Sequence, residues 1–360
     1  MEYVNLFANC QLVKGANRSL ICDLQLQKSY PVSNDVYDVL HLLKHCSIEE
    51  CIAHFGADNK DAVLSYIEFV LDKELGFIES RILSELVPLD LSWDAFSEIT
   101  NVIIEYNEAM NYDNIFFKAL INLNVHCLEI RCYHEPDLKK LVLFLDTFNG
   151  SILKHINLVL PYAADIDIPL LENLVRNNLR IKSILIHSAS EDKSLRIYKD
   201  TVPLHYFSKV ISSCMACGLI LPYHFITNME LFAESQQHNT CLNRKLSIDF
   251  NGFIKNCPSM LDNYGNMLET DLDQLLENKD FRKYWSVRKD EIAVCKDCEF
   301  RHVCTDCRAY IENPQDFYSK PLKCGYNPYT NEWSEWSTNP IKQKAMEYYK
   351  LQDLEKSNEA

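Results

Sequence analysis

The chain has 360 residues, 47% hydrophobic and 11% aromatic, with 36 Lys+Arg against 51 Asp+Glu and a formal charge of −15. That length makes two or three domains with real cores, and that composition excludes a disordered chain. Only 8 glycines are present, none closer to another than Gly252 is to Gly265, so the clustered glycines of a Rossmann fingerprint, a P-loop or a kinase phosphate loop are excluded.

The first residues, Met1-Glu2-Tyr3-Val4-Asn5, lack the basic start and apolar core of a secretory signal. The longest apolar runs, such as residues 141–145, are too short to cross a bilayer. The expectation is a soluble, cytoplasmic chain with no membrane partner. Residues 3–7 and 20–24 are rich in β-formers and flank the turn-forming Lys14-Gly15-Ala16-Asn17-Arg18. After Pro31 the period changes. Ser33 or Asn34 caps a helix through Val36, Val39, Leu40 and Leu43. Ser47, with Glu50 three residues on, opens a second helix through a capping box. A third helix is predicted over residues 61–77, with Ile67, Val70, Leu71 and Leu75 on one face. A hairpin followed by three helices predicts a winged-helix-like module over residues 1–82.

Residues 85–235 alternate. Strands are predicted at 99–106, 126–132, 155–162 and 181–187, with helices at 115–123, 137–148 and 169–178. Such alternation argues for a parallel sheet of right-handed βα units. Four or five units are fewer than a closed barrel needs, so the expectation is an α/β domain forming an open, partial barrel. Residues 236–330 consist of short elements and turns. Residues 331–360 carry Trp333, Trp336 and a predicted helix near 342–354.

Charge is uneven: residues 1–80 hold 6 basic and 12 acidic side chains, residues 241–330 hold 13 and 14. Neither is a basic footprint, so no nucleic-acid partner is expected. The acidity reads first as a solvated surface, and second as a face for a basic peptide.

The informative feature is cysteine. Of 15 in the chain, seven fall between Cys241 and Cys324. Inside a cell, clustered thiols more often bind metal or do redox chemistry than form disulfides. Cys241 and Cys257 bracket Gly252 as Cys-x10-Gly-x4-Cys, and the stretch between them reads as a hairpin turning at Asn251-Gly252, which returns both thiols to one site. Cys295-x2-Cys298-x5-Cys304-x2-Cys307 follows, then Cys324. A Cys-x-x-Cys turn aims two thiolates at one centre, a spacing that zinc knuckles and iron–sulfur sites share. A zinc layout would put Cys295, Cys298, Cys304 and Cys307 on one ion. Cys241, Cys257 and Cys324 would take a second, with His238 or His302. Such a chain would be a non-catalytic adaptor or scaffold.

This order of cysteines resembles the SPASM domain of peptide-modifying radical SAM enzymes, which binds auxiliary [4Fe–4S] clusters. The usual pattern has three residues between the fifth and sixth cysteines; here there are two, Thr305 and Asp306. The resemblance implies one cluster on Cys295, Cys298, Cys304 and Cys324. It implies another on Cys241, Cys257 and Cys307, with Cys217, His238 or substrate in the fourth place. Leu6-Phe7-Ala8-Asn9-Cys10, Lys14–Ser19 (residues 14–19), Asn239-Thr240-Cys241-Leu242-Asn243-Arg244-Lys245, Lys255-Asn256-Cys257-Pro258 and Cys295-Lys296-Asp297-Cys298-Glu299-Phe300-Arg301 narrow the resemblance to the grasp-with-spasm peptide maturases. That family implies an ATP-grasp ligase and a precursor peptide as partners. It also implies an N-terminal module like a RiPP recognition element, taking the leader peptide as an added strand.

One departure stands out. A radical SAM centre needs Cys-x3-Cys-x2-Cys, and none of the cysteines has another four positions on. The loop Glu108-Ala109-Met110-Asn111-Tyr112-Asp113-Asn114 has no cysteine. The barrel is therefore expected to be a degenerate radical-SAM-like core, which argues against S-adenosylmethionine as cofactor. Cys214-Met215-Ala216-Cys217 reads as structural, a redox pair or a source of a further ligand; Cys127 and Cys132 read as core thiols, and His134, His187 and His224 as structural residues at strand ends. No nucleophile–base pair identifies a catalytic residue.

Overall fold

The computed structural model describes residues 1–83 and 85–352. Four strands open the chain: β1 (Tyr3–Leu6), β2 (Cys10–Lys14), β3 (Arg18–Asp23) and β4 (Lys28–Ser33). The last three form an antiparallel sheet in the order β2-β3-β4. Helix α1 (Asn34–Leu43) is capped by Ser33, whose Oγ accepts from Val36 N, and it buries Val36, Val39, Leu40 and Leu43. Helix α2 (Ile48–Phe55) starts on the Ser47/Glu50 capping box. Helix α3 (Lys60–Asp72) buries Val63, Ile67 and Val70. It was expected to reach residue 77 but stops at Asp72. Glu74 turns the chain at φ 55°, and Gly76 opens β5 (Gly76–Glu79), which pairs antiparallel with β1. Leu71, placed inside by the predicted stripe, is 38% exposed, whereas Leu75 is buried beyond the helix end.

The next segment alternates as β6 (Asn101–Glu105), α4 (Ile115–Asn122), β7 (Cys127–Arg131), α5 (Leu138–Asp146), β8 (His155–Pro161), α6 (Ile168–Asn177) and β9 (Ile181–His187). These four strands are parallel neighbours. A hairpin of β10 (Lys193–Ile197) and β11 (Val202–Tyr206) then sets β11 parallel to β9. After α7 (Met229–Ser235), strand β12 (Lys245–Ile248) returns to lie parallel to β6, with β13 (Ile254–Lys255) antiparallel outside it. The sheet order is β10-β11-β9-β8-β7-β6-β12-β13, an open α/β partial barrel. It is wider than the expected four or five units: β12, from the cysteine-rich part, completes six parallel strands.

Alternation along the strands gives the sheet two unlike faces. Val102, Ile104, Leu128, Ile130, Leu158 and Ile184 share a core with Phe117, Leu141, Phe144 and Leu171 from the helices. On β7, Cys127, Glu129 and Arg131 face the other way and are only half-buried. The remainder contains α8 (Leu272–Glu277), a small β14 (Tyr326–Asn327)–β15 (Glu332–Trp333) ribbon and α9 (Gln343–Tyr348). The helix predicted near 342–354 is thus shorter, and its last positions, 353–354, lie outside the described residues. Among the described residues no helix is long and apolar enough to cross a membrane.

The middle strand of the N-terminal sheet, β3, is buried on both faces. Ile21 packs with α1–α3, while Val13, Leu20, Cys22 and Leu24 pack with Phe300, Cys304, Cys324 and Tyr326. The β2–β3 turn docks on the Cys295–Cys298 loop: Ala16 N donates to Asp297 O at 2.8 Å and Arg301 Nη1 to Lys14 O at 2.6 Å. A Cβ on Gly15 would lie 2.8 Å from Glu299 N, so no larger residue fits that approach. Arg18 Nε donates to the fully buried carboxylate of Glu299, which also accepts from Tyr326 Oη. Removing Arg18 leaves that carboxylate buried without its cation. Arg18→Ala should therefore cost about 2–4 kcal/mol, less than for a fully buried pair because the Arg18 side chain is 29% exposed. Thermal unfolding reads this directly, and adding Glu299→Gln should restore part of the loss.

Candidate functional site

Eight thiols fall into two groups, each around its own cavity. Cys295, Cys298, Cys304 and Cys324 line a space of about 30 Å³ whose other walls include Phe225, Phe300, Tyr326 and Trp333. Cys217, Cys241, Cys257 and Cys307 line a second space of about 170 Å³. All cysteines are free thiols.

Local structure explains the grouping. Cys295 opens a 3-10 turn, and Cys298 N donates back to Cys295 O at 3.0 Å, so both thiols emerge from one tight loop. Cys304 N donates to Phe300 O at 2.9 Å. Cys324 joins them through a parallel bridge with Ile220. In the second group, Asn239 Oδ1 accepts from Cys241 N at 3.1 Å and Leu242 N at 2.9 Å, while its Nδ2 donates to Asp306 Oδ2 at 2.6 Å. That network fixes Cys241 against the segment carrying Cys307. Cys257 follows β13, so the hairpin turning at Gly252 returns it to Cys241, as its spacing predicted. Gly218, at φ 87°, brings Cys217 in, and a Cβ there would stand 2.9 Å from Cys307 Sγ.

The layout of Cys295, Cys298, Cys304 and Cys307 around one ion is not adopted. Cys307 stands with Cys217, Cys241 and Cys257, because the Asn239–Asp306 bond draws the chain toward Cys241 before Cys307 is reached. Neither histidine joins the second group. His302 is buried against Phe232 with Nδ1 3.0 Å from Ser235 Oγ, and burial beside Arg301 lowers its pKa to about 4. His238 packs edge-on against Trp93. Among the described residues no three His, Cys, Asp or Glu side chains converge closely enough for a single ion. Thiolates on one zinc sit ~2.3 Å from it; here each set of four surrounds a space.

Burial is the main force on these sulfurs. It pushes Cys295 and Cys307 up to about 12 and Cys304 up to about 11, and raises Cys241, Cys257 and Cys298 as well. Left alone such thiols stay neutral and inert. Two ammoniums, buried Lys289 and half-buried Lys245, oppose that. Lys289 Nζ donates to Cys304 Sγ at 3.4 Å, and Lys245 Nζ to Cys241 Sγ at 3.5 Å. Burial disfavours both charges, and the neighbouring sulfurs act the other way and shift both amines up. Arg131 Nη2 lies 4.0 Å from Cys217 Sγ. Spacing arguments missed these three cations. Only alternation on β7 and β12, which puts Arg131 and Lys245 on the half-buried sheet face, hinted at two of them.

The other singled-out residues make local contacts away from the two cavities' sulfurs. Cys214 Sγ donates to Pro258 O at 3.5 Å, Cys132 is buried in the barrel core, and Cys127 is half-buried at the start of β7. His187 Nε2 bonds Cys132 O at 3.1 Å, His224 Nδ1 bonds Leu219 O at 3.1 Å, and His134 packs on Phe250. The loop after β6 folds inward: Tyr112 stacks on Tyr106 at 5.9 Å, lies 4.5 Å from the Phe144 ring, and its Oη accepts from Asn107 N.

No family model matches this chain, and no curated protein matches it. Among solved structures it is similar to the crystal structure of Streptococcus suis SuiB bound to S-adenosylmethionine, at 12% identity and a TM-score of 0.37, over 89% of this chain and 99% of that one. A likeness of that size carries neither ligand nor activity across.

Proposed function

We propose that this chain is a component of ribosomal-peptide maturation that holds two [4Fe–4S] clusters in a SPASM-like domain and captures a precursor peptide on its N-terminal module. The observation that carries this reading is the division of eight thiols, five buried and three half-buried, into two sets of four, each around a cavity. Cys295, Cys298, Cys304 and Cys324 would hold one cluster. Cys241, Cys257, Cys307 and Cys217 would hold the other. The donor set fits: all are unbridged sulfurs, an ammonium donates to one sulfur in each set, and Gly218 leaves room beside Cys307. When bound, such clusters supply one-electron chemistry or, with an open iron, Lewis acidity.

For the peptide, β4 is the outer strand of its sheet, with one edge unpaired among the described residues. Tyr30 on β4 meets Phe69 on α3 with rings 6.1 Å apart, giving an apolar floor beside that edge. An extended peptide added there would satisfy the open N–H and C=O groups. The acidic surface of this module suits a peptide with basic side chains. An ATP-grasp ligase as partner, forming links between peptide side chains, completes the proposal.

Three measurements test it. Protein purified without oxygen should carry about eight iron and about eight sulfide per chain, two four-iron clusters; stoichiometric zinc without sulfide would replace this reading with the adaptor. Gly218→Ala, which forces a side chain to φ 87° beside Cys307 Sγ, should lower iron by roughly half while sparing the Cys295 set. Tyr30→Asp in the full chain should weaken binding of a labelled extended peptide rich in basic side chains by at least about tenfold, ~1.4 kcal/mol, in fluorescence anisotropy. Unchanged affinity would remove the peptide-capture claim.

A further inference from the structure

Lys245 and Lys289 are neither surface lysines nor halves of ordinary ion pairs. The Lys289 side chain is 6% exposed, and its nearest carboxylate, Asp306, lies 3.8 Å away and is already held by Arg308 at 2.7 Å. Its donations go to Cys304 Sγ at 3.4 Å and Thr305 O at 3.2 Å. Lys245 forms no ion pair among the described residues and donates to Cys241 Sγ at 3.5 Å. A buried ammonium aimed at sulfur is costly unless the sulfur carries negative charge. The same contact acts back on whatever the sulfur ligates. A positive charge and an N–H donor on a thiolate favour the more negative redox state of the attached cluster.

The two sets of thiols are not equally provided for. Beside Lys245, the second set has Arg131, whose Nε is paired with Glu129 and whose Nη2 lies 4.0 Å from Cys217 Sγ, and Lys323 Nζ donating to Cys217 O at 2.8 Å. The first set has Lys289, and aromatic walls from Phe225, Phe300, Tyr326 and Trp333. An apolar wall disfavours added charge, and extra cations favour it.

We propose that Lys245 and Lys289 are positioning residues that each raise the reduction potential of one iron–sulfur cluster, and that the cluster on Cys217, Cys241, Cys257 and Cys307 is the easier of the two to reduce. This rests on the reading that both sets of thiols hold clusters. Reduction adds one electron to a cluster and its thiolates; no bond forms or breaks, no proton moves, and the electron comes from the chemical reductant of the titration.

The test uses the full chain, reconstituted without oxygen with iron and sulfide, poised stepwise with dithionite and mediators, and read by electron paramagnetic resonance. Two reduction steps are expected. Lys245→Leu should move the higher step to lower potential and leave the lower one in place. Lys289→Leu should move only the lower step further down. Lys245→Arg and Lys289→Arg should restore wild-type positions. Where a leucine variant loses its cluster, the glutamine and arginine variants replace it: a lower potential with glutamine supports the proposal, and equal potentials overturn it. Leucine variants with full iron and unmoved steps overturn the proposal alone, and so does Lys245→Leu moving the lower step. A wild-type chain that takes up no iron or sulfide overturns the cluster reading and the proposal together.

Discussion

Sulfur and ammonium are buried together in this protein, and neither tolerates burial alone. Cys304 and Lys289 face each other at 3.4 Å, Cys241 and Lys245 at 3.5 Å. A neutral thiol would leave each ammonium without charge compensation in a low-dielectric interior. A thiolate without the ammonium would bear unopposed the desolvation that raises Cys304 and Cys241. Each group therefore supports the other's charged form. This mutual dependence requires the cysteine-rich part to close against the sheet, because Arg131 and Lys245 come from β7 and β12 rather than from a separate loop domain. The barrel sheet supplies cations as well as a core.

The N-terminal module is subject to the same closure. Its middle strand, β3, puts Leu20 and Cys22 on the Cys304–Cys324 side and Ile21 on the helix side. Such a strand cannot detach without exposing apolar surface on one of its faces. The Arg18–Glu299 pair and the Gly15 approach then fix its orientation. Modules joined by small polar interfaces move relative to each other by default; here an apolar interface, a buried ion pair and backbone hydrogen bonds hold the module to the loop that carries Cys295 and Cys298. The β4 edge, unpaired among the described residues, and the first set of thiols consequently belong to one continuous body.

Local signals were legible where a single residue type does one physical job. Ser33 and the Ser47/Glu50 pair cap helices because their oxygens satisfy orphan N–H groups, and both were readable. The Asn251-Gly252 turn was readable because φ 82° favours glycine. The β10–β11 hairpin was not, because its turn uses Tyr198, Lys199 and Asp200 at φ 48°, 58° and 59° with no glycine to mark it. Leu75 misled because a helical stripe continues in the letters past the point where Glu74 turns the chain, and it is buried beyond the helix end. Spacing located the seven clustered cysteines but could not divide them. The division depends on Asn239 reaching Asp306 and Ile220 pairing with Cys324, contacts between residues far apart in the chain.

That last pairing has a consequence for how the two sets are built. Ile220 lines both cavities. Its N–H donates to Lys323 O at 3.2 Å, and Lys323 Nζ donates back to Cys217 O at 2.8 Å. The segment carrying Cys217 and the segment carrying Cys324 are thus tied in both directions, although each delivers its thiol to a different set. Lys323 is 2% exposed, with its amine 4.3 Å from the Tyr310 ring, so this tie is sheltered from water and competes with little. Burial lowers its pKa to about 8 despite the nearby thiols, and the carbonyl oxygens it bonds can accept from the amine in either protonation state. The segments that deliver Cys217 and Cys324 are therefore held side by side, while the two sets of thiols surround separate spaces.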